Sequence, residues 1–582
     1  MSFSCHGLDQ IIPRSLKPDL EPEKIMPGRD REEEPLDVEN RCGIEIRISS
    51  ASDTNNLESE RDCLTVEPGA NPDDIRSSTE NFGSDVLSHA YQLVLFLITQ
   101  SGYLVVVASM LSTNFFEPSK TTCDAITAIA TNNTFPDTEG HQKILDKEFH
   151  SLLVEWQEEC SGSRMTIYVS TAVMLGAIFG SFGCGYLADR LGRKPVVVGC
   201  MLALCLGNAL IGLLAGISSV FAVIIFFILG SASGGYIVTN MVFIVEAVSD
   251  SRTRLLVVSL NGWPAGMVFT ALLGWLTQNW RVYHLTCSAL SIICVTFLEC
   301  FCKESIRWLL ERGDMLRAMT IHTEIQRQYE SCCKRPQQIN KSISPSPSFS
   351  PKSPDENSNT EVNGAPRPPR KYSYLDLFRH KSISVPLLVL VYCFFSSSVV
   401  SFGLIFSAEI LPGNRYLNLA GMGLGKLVLG LVPYTVSHWF GRRPIILVSV
   451  GVACVSCGAL ILTWTLFRDS VHWLITALGL SLVAAMDPTW KINHLYSMEL
   501  FPTAVRNMAR GVCSVMSRVG SLAGPFVIFL RTYNDLVPFW MFLVLLIAQW
   551  IISYFLLPET RHAELPQNMP TKKRRGSEQA KS

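Results

Sequence analysis

The sequence lacks a charge excess of either sign, and it has few charged residues altogether. Among its 582 residues, 49 Lys and Arg balance 50 Asp and Glu, and charged residues make up 17%. A net charge of −1 gives no indication of a nucleic-acid partner, so none is expected. The sequence also lacks a catalytic triad, a nucleotide-binding loop and clustered histidines. It therefore predicts neither an enzyme nor a bound metal or cofactor.

A secreted disulfide framework and a cleavable signal peptide are absent as well. The chain has 18 cysteines, but most of them lie inside apolar runs, where cysteine acts as a small apolar side chain. Residues 1–87 are polar and acidic and contain no apolar core, so no signal peptide is expected there. We interpret this segment as a disordered cytosolic tail.

What the sequence does contain is a series of apolar runs of about 20 residues, each long enough to cross a bilayer as a helix. We predict an all-α membrane protein with twelve transmembrane helices in two pseudo-symmetric halves of six. The predicted spans are 88–112, 165–187, 195–217, 219–246, 255–277, 282–302, 384–410, 416–438, 445–467, 471–497, 511–531 and 537–557.

These spans divide the chain into segments. The N-terminal half covers 88–302 and includes a long loop at 113–164, and the C-terminal half covers 384–557. Between the halves, 303–383 is predicted to be a cytosolic linker, and 558–582 is predicted to be a second cytosolic tail. The middle of the linker, 342–354, is rich in Ser and Pro and cannot form a packed core. It fits a phosphorylated segment and a plain flexible tether equally well.

Lys and Arg are distributed unequally over the two ends of the spans, and this bias predicts the orientation. The loops between spans 2–3, 4–5, 8–9 and 10–11 carry nine Lys or Arg residues, and the short loops opposite carry four. Both termini are therefore expected in the cytosol, and loop 113–164 is expected to be external.

In that loop we predict a disulfide between Cys123 and Cys160 and N-glycosylation at Asn132. We expect a multi-pass protein of the plasma membrane, although a vesicle membrane fits the same features.

One charged stretch, Gly185-Tyr-Leu-Ala-Asp-Arg-Leu-Gly-Arg-Lys-Pro195, connects two of the spans. Gly192 and Pro195 allow a tight turn between the helices. The stretch resembles the signature loop between helices 2 and 3 of the major facilitator superfamily. The resemblance implies that superfamily's fold, with a substrate bound near the membrane midplane between the two halves.

The two halves also repeat the same short motifs, as expected for a duplicated six-helix unit. The offsets are 250 residues from Arg193 to Arg443, 253 from Glu246 to Glu499, and 255 from the Lys-Glu-Ser at 303–305 to the Pro-Glu-Thr at 558–560. In such a fold the repeated charges would form ion pairs between the halves and close the cytosolic side, or they would only anchor helix ends among lipid headgroups. The predicted gating residues are Asp189, Arg193, Glu246, Arg254, Arg443, Glu499 and Arg506.

Longer motifs resemble a narrower family, the organic ion transporters of solute carrier family 22. The matching stretches are Ser151–Cys160, Glu304–Leu309, Gly413–Asn418, Met498–Asn507 and Leu557–Thr560. The long first external loop is a further hallmark of that family. The resemblance implies a secondary transporter of small organic ions that works by alternating access, with a coupling ion or an exchanged anion as a possible further partner.

Charged residues inside the predicted spans are functional candidates, because a charge in the bilayer is costly unless it faces a wet cavity or a partner. The candidates are Lys426 in span 8, Asp487 and Lys491 in span 10, and Arg518 in span 11. Three cations against one carboxylate favour an organic anion or a carboxylate-bearing zwitterion. Asp487 and Lys491 lie four residues apart and could simply pair. By the resemblance, Arg518 corresponds to the arginine of organic anion and carnitine-type members.

Aromatic residues would supply the apolar wall of such a site. Phe394 and Phe402 in span 7 align with aromatic positions of the family. Further aromatic candidates are Tyr236, Trp263 and Trp490. Gly230, Gly234 and Gly235 in span 4 indicate close helix packing instead.

Two alternatives to anion transport stay open. The first is an organic cation carrier in which Asp487 or Glu409 supplies the counter-charge. The second is a non-transporting receptor or scaffold that uses its long tail and linker on a transporter fold.

Overall fold

The computed structural model describes residues 89–118, 122–123, 149–158, 164–248, 251–330, 376–379, 381–406, 408, 411–437, 439–467, 470–530 and 533–560. Within those ranges the regular structure is helical, apart from an isolated bridge between His150 and Asn279. The predictions made for the N-terminal tail, for residues 561–582 of the C-terminal tail, for the Ser/Pro segment and for Asn132, Cys160 and Glu409 concern residues outside this part of the chain.

Twelve long helices form the framework of the described chain. They are α1 (His89–Leu111), α2 (Arg164–Leu191), α3 (Arg193–Leu214), α4 (Ser219–Ala247), α5 (Trp263–Thr277), α6 (Trp280–Phe301), α7 (Lys381–Phe406), α8 (Arg415–Leu429), α9 (Arg442–Phe467), α10 (His472–Glu499), α11 (Thr503–Leu530) and α12 (Val537–Leu556). In the described residues, eleven helical stretches are long and apolar enough to cross a membrane, and α11 is the long helix outside that set. The arginines of α11 lower its hydropathy, yet it packs against α7 and α2 inside the bundle.

Two predicted spans are each divided into two helices. A helix at Ser251–Ser259 precedes α5, and a helix at Val432–Val436 follows α8. In both places a proline, Pro264 or Pro433, lies within the first two residues of the second helix. Proline cannot continue the hydrogen-bond pattern of a preceding helix, so the chain breaks there.

The first part of the predicted linker is itself helical. Helices at Ile306–Glu311 and Met315–Glu330 follow α6 directly. The hydroxyl of Ser305 accepts a hydrogen bond of 3.3 Å from the backbone N–H of Trp308, which caps the first of them. The chain after span 6 is therefore ordered well past residue 303.

The helix contacts repeat from one half to the other, as the duplicated motifs predict. Seven pairs of described helices in the N-terminal half have equivalents six helices later in the C-terminal half: α1–α4, α1–α5, α1–α6, α2–α4, α3–α4, α3–α6 and α5–α6. Two further contacts, α5–α8 and α2–α11, join the halves and are related by the same shift. The described residues thus form the two-half architecture predicted for a major facilitator fold.

Glycines bring α2 and α4 into backbone contact. A Cβ atom added at Gly176 or Gly180 of α2 would overlap the backbone of α4. A Cβ atom added at Gly230 or Gly234 of α4 would likewise overlap the backbone of α2. Small residues on both sides permit this close approach, which confirms the packing role predicted for the glycines of span 4.

Candidate functional site

A cavity of about 530 Å³ lies between the two halves. Its wall is built from α1, α2, α4 and the start of α5 on one side and from α7, α8, α10 and α11 on the other. It extends to Asp189 and Arg193, at the end of the bundle from which the 303–383 linker leaves. We call this the linker end, and we call the opposite end, where loop 113–164 leaves, the loop end.

The halves meet at the loop end. Nη1 of Arg415 donates a hydrogen bond of 2.8 Å to the backbone carbonyl of Glu117 in the other half. The rings of Phe115 and Tyr416 pack with their centroids 5.4 Å apart, again across the halves. In this conformation the cavity is therefore approached from the linker end.

The structure brings five of the predicted substrate-binding residues to the cavity wall: Lys426, Asp487, Arg518, Phe394 and Phe402. Lys491 lies outside that wall and is 1% exposed, and its Nζ atom is 3.1 Å from Oδ2 of Asp487. The same ammonium donates a hydrogen bond to the backbone carbonyl of Ser259 in the other half. Lys491 therefore neutralises Asp487 and links the halves, instead of facing the cavity.

A further cation, Arg510, lines the cavity and was not among the predicted binding residues. It lies on the same face of α11 as Arg518. The other polar lining residues on that face are Ser514, Ser517 and Ser521, and the spacings of three and four residues explain why they share it. The signal was present in the sequence, but starting span 11 at residue 511 assigned Arg510 to a loop.

The cavity wall carries more positive than negative charge. Its ionisable Lys, Arg, Asp and Glu residues are Asp189, Arg193, Lys426, Asp487, Arg510 and Arg518. Asp189 pairs with Arg193, and Asp487 pairs with Lys491 behind the wall. Lys426, Arg510 and Arg518 form no ion pair with any residue that the structure describes.

Aromatic side chains line the same cavity next to these cations. Phe394, Trp490 and His494 contact one another edge to face, with ring centroids 5.0–6.0 Å apart. Phe402 contacts Trp263 of the other half at 5.7 Å. The wall therefore offers apolar ring surface beside positive charge, a combination typical of small-molecule sites.

At the linker end, the buried side chain of Arg193 is the centre of a charge network. Its Nη1 lies 2.7 Å from Oδ1 of Asp189, and its Nη2 lies 3.0 Å from Oε1 of Glu246. Oε1 of Glu304 accepts hydrogen bonds from the backbone N–H groups of Arg193 (2.8 Å) and Lys194 (3.1 Å). Glu304 thereby places a negative charge at the N-terminus of α3, where the helix dipole favours it.

The C-terminal half repeats this network. Nη2 of Arg442 lies 3.3 Å from Oε1 of Glu499. The carboxylate of Glu559 accepts hydrogen bonds from the backbone N–H groups of Arg442 (2.9 Å) and Arg443 (3.1 Å). Glu559 therefore caps α9 as Glu304 caps α3.

In the structure, the residue of the C-terminal half that corresponds to Arg193 is one position earlier than the repeated motifs predict. Arg442, rather than Arg443, takes the place of Arg193, because each of these two arginines is the first residue of its helix. The guanidinium of Arg443 instead lies over the ring of Tyr554, 5.5 Å from its centroid. A count from the glycine that precedes each helix gives the corrected offset of 249.

The remaining predicted gating residues also lie at the linker end. Nε of Arg254 donates to the backbone carbonyl of Val248 at 2.7 Å, and Nε of Arg506 donates to that of Phe501 at 3.2 Å. Each arginine thus binds the backbone just beyond the end of α4 or α10. In this conformation, with the cavity open to the linker end, Arg193 and Arg442 pair with carboxylates of their own halves. The pairs between halves, which would form when that end closes, stay a prediction.

Two other sequence predictions concern metals and the external loop. In the described ranges, no three His, Cys, Asp or Glu residues are grouped so that they could hold a metal ion. Cys123 is a disulfide cysteine in the structure, but Cys160 lies outside the described residues. The pairing of these two cysteines stays a prediction.

Comparison with known proteins identifies relatives among membrane transporters. Residues 100–568 match the family described as "Sugar (and other) transporter". Solute carrier family 22 member 15 of Xenopus tropicalis is 29% identical over 440 residues, which cover 74% of this chain and 76% of that protein. Organic cation/carnitine transporter 2 of Mus musculus is 25% identical over 442 residues, which cover 74% and 73%. Solute carrier family 22 member 3 of Mus musculus is 27% identical over 470 residues, which cover 79% of each chain.

Solved structures show the same fold. The partially occluded inward-open xylose transporter XylE from E. coli aligns with a TM-score of 0.55 and 14% identity, over 82% of this chain and 100% of that one. A D-xylose–proton symporter aligns with a TM-score of 0.53 and 15% identity, over 81% and 99%. Since the family match covers more than half of the chain, this protein belongs to the sugar (and other) transporter family of the major facilitator superfamily and is a multi-pass membrane transporter of the solute carrier family 22 type.

Proposed function

We propose that this transporter carries organic anions or carboxylate-bearing zwitterions. The observation that carries the proposal is the charge of the cavity wall. Lys426, Arg510 and Arg518 line the cavity without an ion pair among the described residues, whereas Asp487 is already neutralised by Lys491. Cations surrounded by protein and lipid are stabilised by a bound anion. An arginine holds a carboxylate through two parallel hydrogen bonds, and a lysine adds a point charge.

The proposed transport cycle uses the two ends of the bundle in turn. The contacts of Arg415 and Phe115 close the loop end, while the cavity extends to the linker end. The charges around Arg193 and Arg442 are placed where the halves would approach each other to close the linker end. In that closed state, the arginines of each half would pair with carboxylates of the other half. This exchange of ion pairs is the gating role that we propose for these residues.

The orientation of the chain is part of the proposal. The Lys and Arg bias supports a cytosolic linker end and cytosolic termini. Loop 113–164 would then be external, with a Cys123–Cys160 disulfide and a glycan on Asn132. We place the transporter in the plasma membrane, with a coupling ion or an exchanged anion to drive uptake.

Uptake by cells that express the full chain tests the substrate class. Labelled organic anions, zwitterions, cations and neutral sugars would be offered to wild type, Arg518→Ala and Lys426→Ala. Arg307→Ala serves as the matched control, because Arg307 is an exposed residue outside the cavity. We expect uptake of anions or zwitterions that both cavity variants lose at normal surface abundance. Uptake that is confined to cations or sugars, or that both variants leave unchanged, would overturn the proposal.

A cation carrier is the second candidate, because Asp487 lines the cavity and one relative's name includes organic cations. In that case Asp487→Asn would abolish cation uptake, and Arg518→Ala would leave it intact. Saturable uptake of any substrate would exclude a non-transporting receptor or scaffold.

A further inference from the structure

Two cysteine side chains face each other between α2 and α3. Sγ of Cys184 lies 3.7 Å from Sγ of Cys200. Cys200 is 5% exposed, and Cys184 is partly buried. Four other thiols of the described helices, Cys205, Cys294, Cys393 and Cys457, contact a hydroxyl or carbonyl oxygen instead.

The fold places these two sulfurs together for a simple reason. Cys184 lies seven residues before Leu191, the last residue of α2, and Cys200 lies seven residues after Arg193, the first residue of α3. Because α2 and α3 are antiparallel and joined by one residue, positions equally far from the turn lie side by side along the two helices. Gly235 of α4 completes the arrangement, because a Cβ atom there would come within 2.5 Å of one sulfur and 3.0 Å of the other.

We infer that Cys184 and Cys200 form a dithiol site that closes to a disulfide under a peroxide and chelates trivalent arsenicals. One thiol reduces hydrogen peroxide, which gives a sulfenic acid and a water molecule, and the second sulfur then displaces the hydroxyl group as a second water. The two thiols lose two protons and two electrons in total. A disulfide bond is about 2.0 Å long. The two sulfurs, now 3.7 Å apart, therefore need only a small movement to form it.

The proposed route of small molecules to the site leads from the cavity, although neither cysteine is itself a lining residue. Gly185 and Ala188, which lie one and four residues after Cys184, are lining residues. In a reducing compartment both thiols stay reduced, and the site responds when oxidant or a thiophilic ion accumulates. This inference is independent of the substrate class proposed above.

Tryptic peptides from the full-length protein in membranes provide the test. Arg190 and Arg193 lie between the two cysteines, so trypsin separates them, and only a disulfide keeps their peptides together. After hydrogen peroxide and N-ethylmaleimide, we expect a linked peptide pair in wild type that Cys184→Ser and Cys200→Ser lose. Cys205→Ser, on the same helix as Cys200, is the matched control and keeps the link.

Phenylarsine oxide gives a second readout on reduced wild-type protein and needs no variant. Its arsenic forms a bond to each sulfur, and the two thiol protons leave with the arsenic-bound oxygen as one water molecule. We expect it to protect both cysteines from maleimide together, with protection reversed by a dithiol but not by a monothiol. Separate alkylation of the two cysteines after peroxide, or independent labelling in the presence of the arsenical, would overturn the inference.

Discussion

At the scale of single residues, Arg518 is the cavity cation at which the proposed preference for anions can be tested most directly. Removal of its guanidinium in Arg518→Ala should weaken the binding of a carboxylate substrate about ten- to a hundredfold, because a hydrogen bond to a charged group contributes about 1.5–3 kcal/mol. Arg518→Lys keeps the charge but loses the planar fork, so its KM should lie between those of wild type and Arg518→Ala. Concentration-dependent uptake measures both. Equal KM values for all three proteins would contradict the assignment.

The buried pair of Asp487 and Lys491 allows a second prediction. Asp487→Asn or Lys491→Met alone leaves one buried charge without its partner, and each should destabilise the protein by about 3–5 kcal/mol. The double variant removes both charges and should be more stable than either single variant. Thermal unfolding midpoints of the detergent-solubilised proteins provide the comparison. Additive losses in the double variant would mean that the two side chains do not stabilise each other.

At the scale of helices, the contact between α2 and α4 depends on glycine. Gly180→Ala places a methyl group against the backbone of Ser231, so it should force the helices apart and lower the folded fraction at the cell surface. Gly183→Ala is the matched control on the same helix, because no atom lies within 4 Å of the added Cβ. Surface abundance of both variants measures the effect. Equal abundance would show that the contact is looser than described.

Helix positions were largely predictable from the sequence, because apolar runs of membrane length and repeated motifs mark them. The failures have physical causes. Hydropathy placed the start of span 11 too late, since Arg506 and Arg510 lower the hydropathy of the first turns of α11, where Arg510 lines the cavity. The sequence identified Lys426 and Arg518 as intramembrane charges, but it could not show that Lys491 is directed to Ser259 and away from the cavity. The direction in which such a side chain points depends on the orientation of its helix about the helix axis, which contacts with residues far away in the sequence determine.

Across the whole molecule, alternating access requires the loop end to open. A bifunctional thiol reagent that joins the double variant Glu117→Cys and Arg415→Cys should therefore stop uptake, because it would tie the halves together where Arg415 now contacts residue 117. Each single variant treated with the same reagent controls for modification alone. Undiminished uptake by the cross-linked double variant would rule out a rocking motion about this contact.

The predicted orientation has its own test. If loop 113–164 is external, wild type should carry an N-glycan that Asn132→Gln lacks, visible as a mobility shift after glycosidase treatment. Ser344→Ala in the linker, which the orientation places in the cytosol, should leave the mobility unchanged. An unglycosylated wild type in glycosylating cells would count against the assigned sidedness.

The repeated contact pattern also bears on how the protein is made. Each half has its own set of contacting helix pairs, and α2–α11 and α5–α8 join the halves. Since the linker of 303–383 is translated between them, we expect the first six helices to leave the translocon and assemble while the second six are still being translated. Two separate polypeptides divided within the linker should then meet in the membrane and reconstitute the transporter.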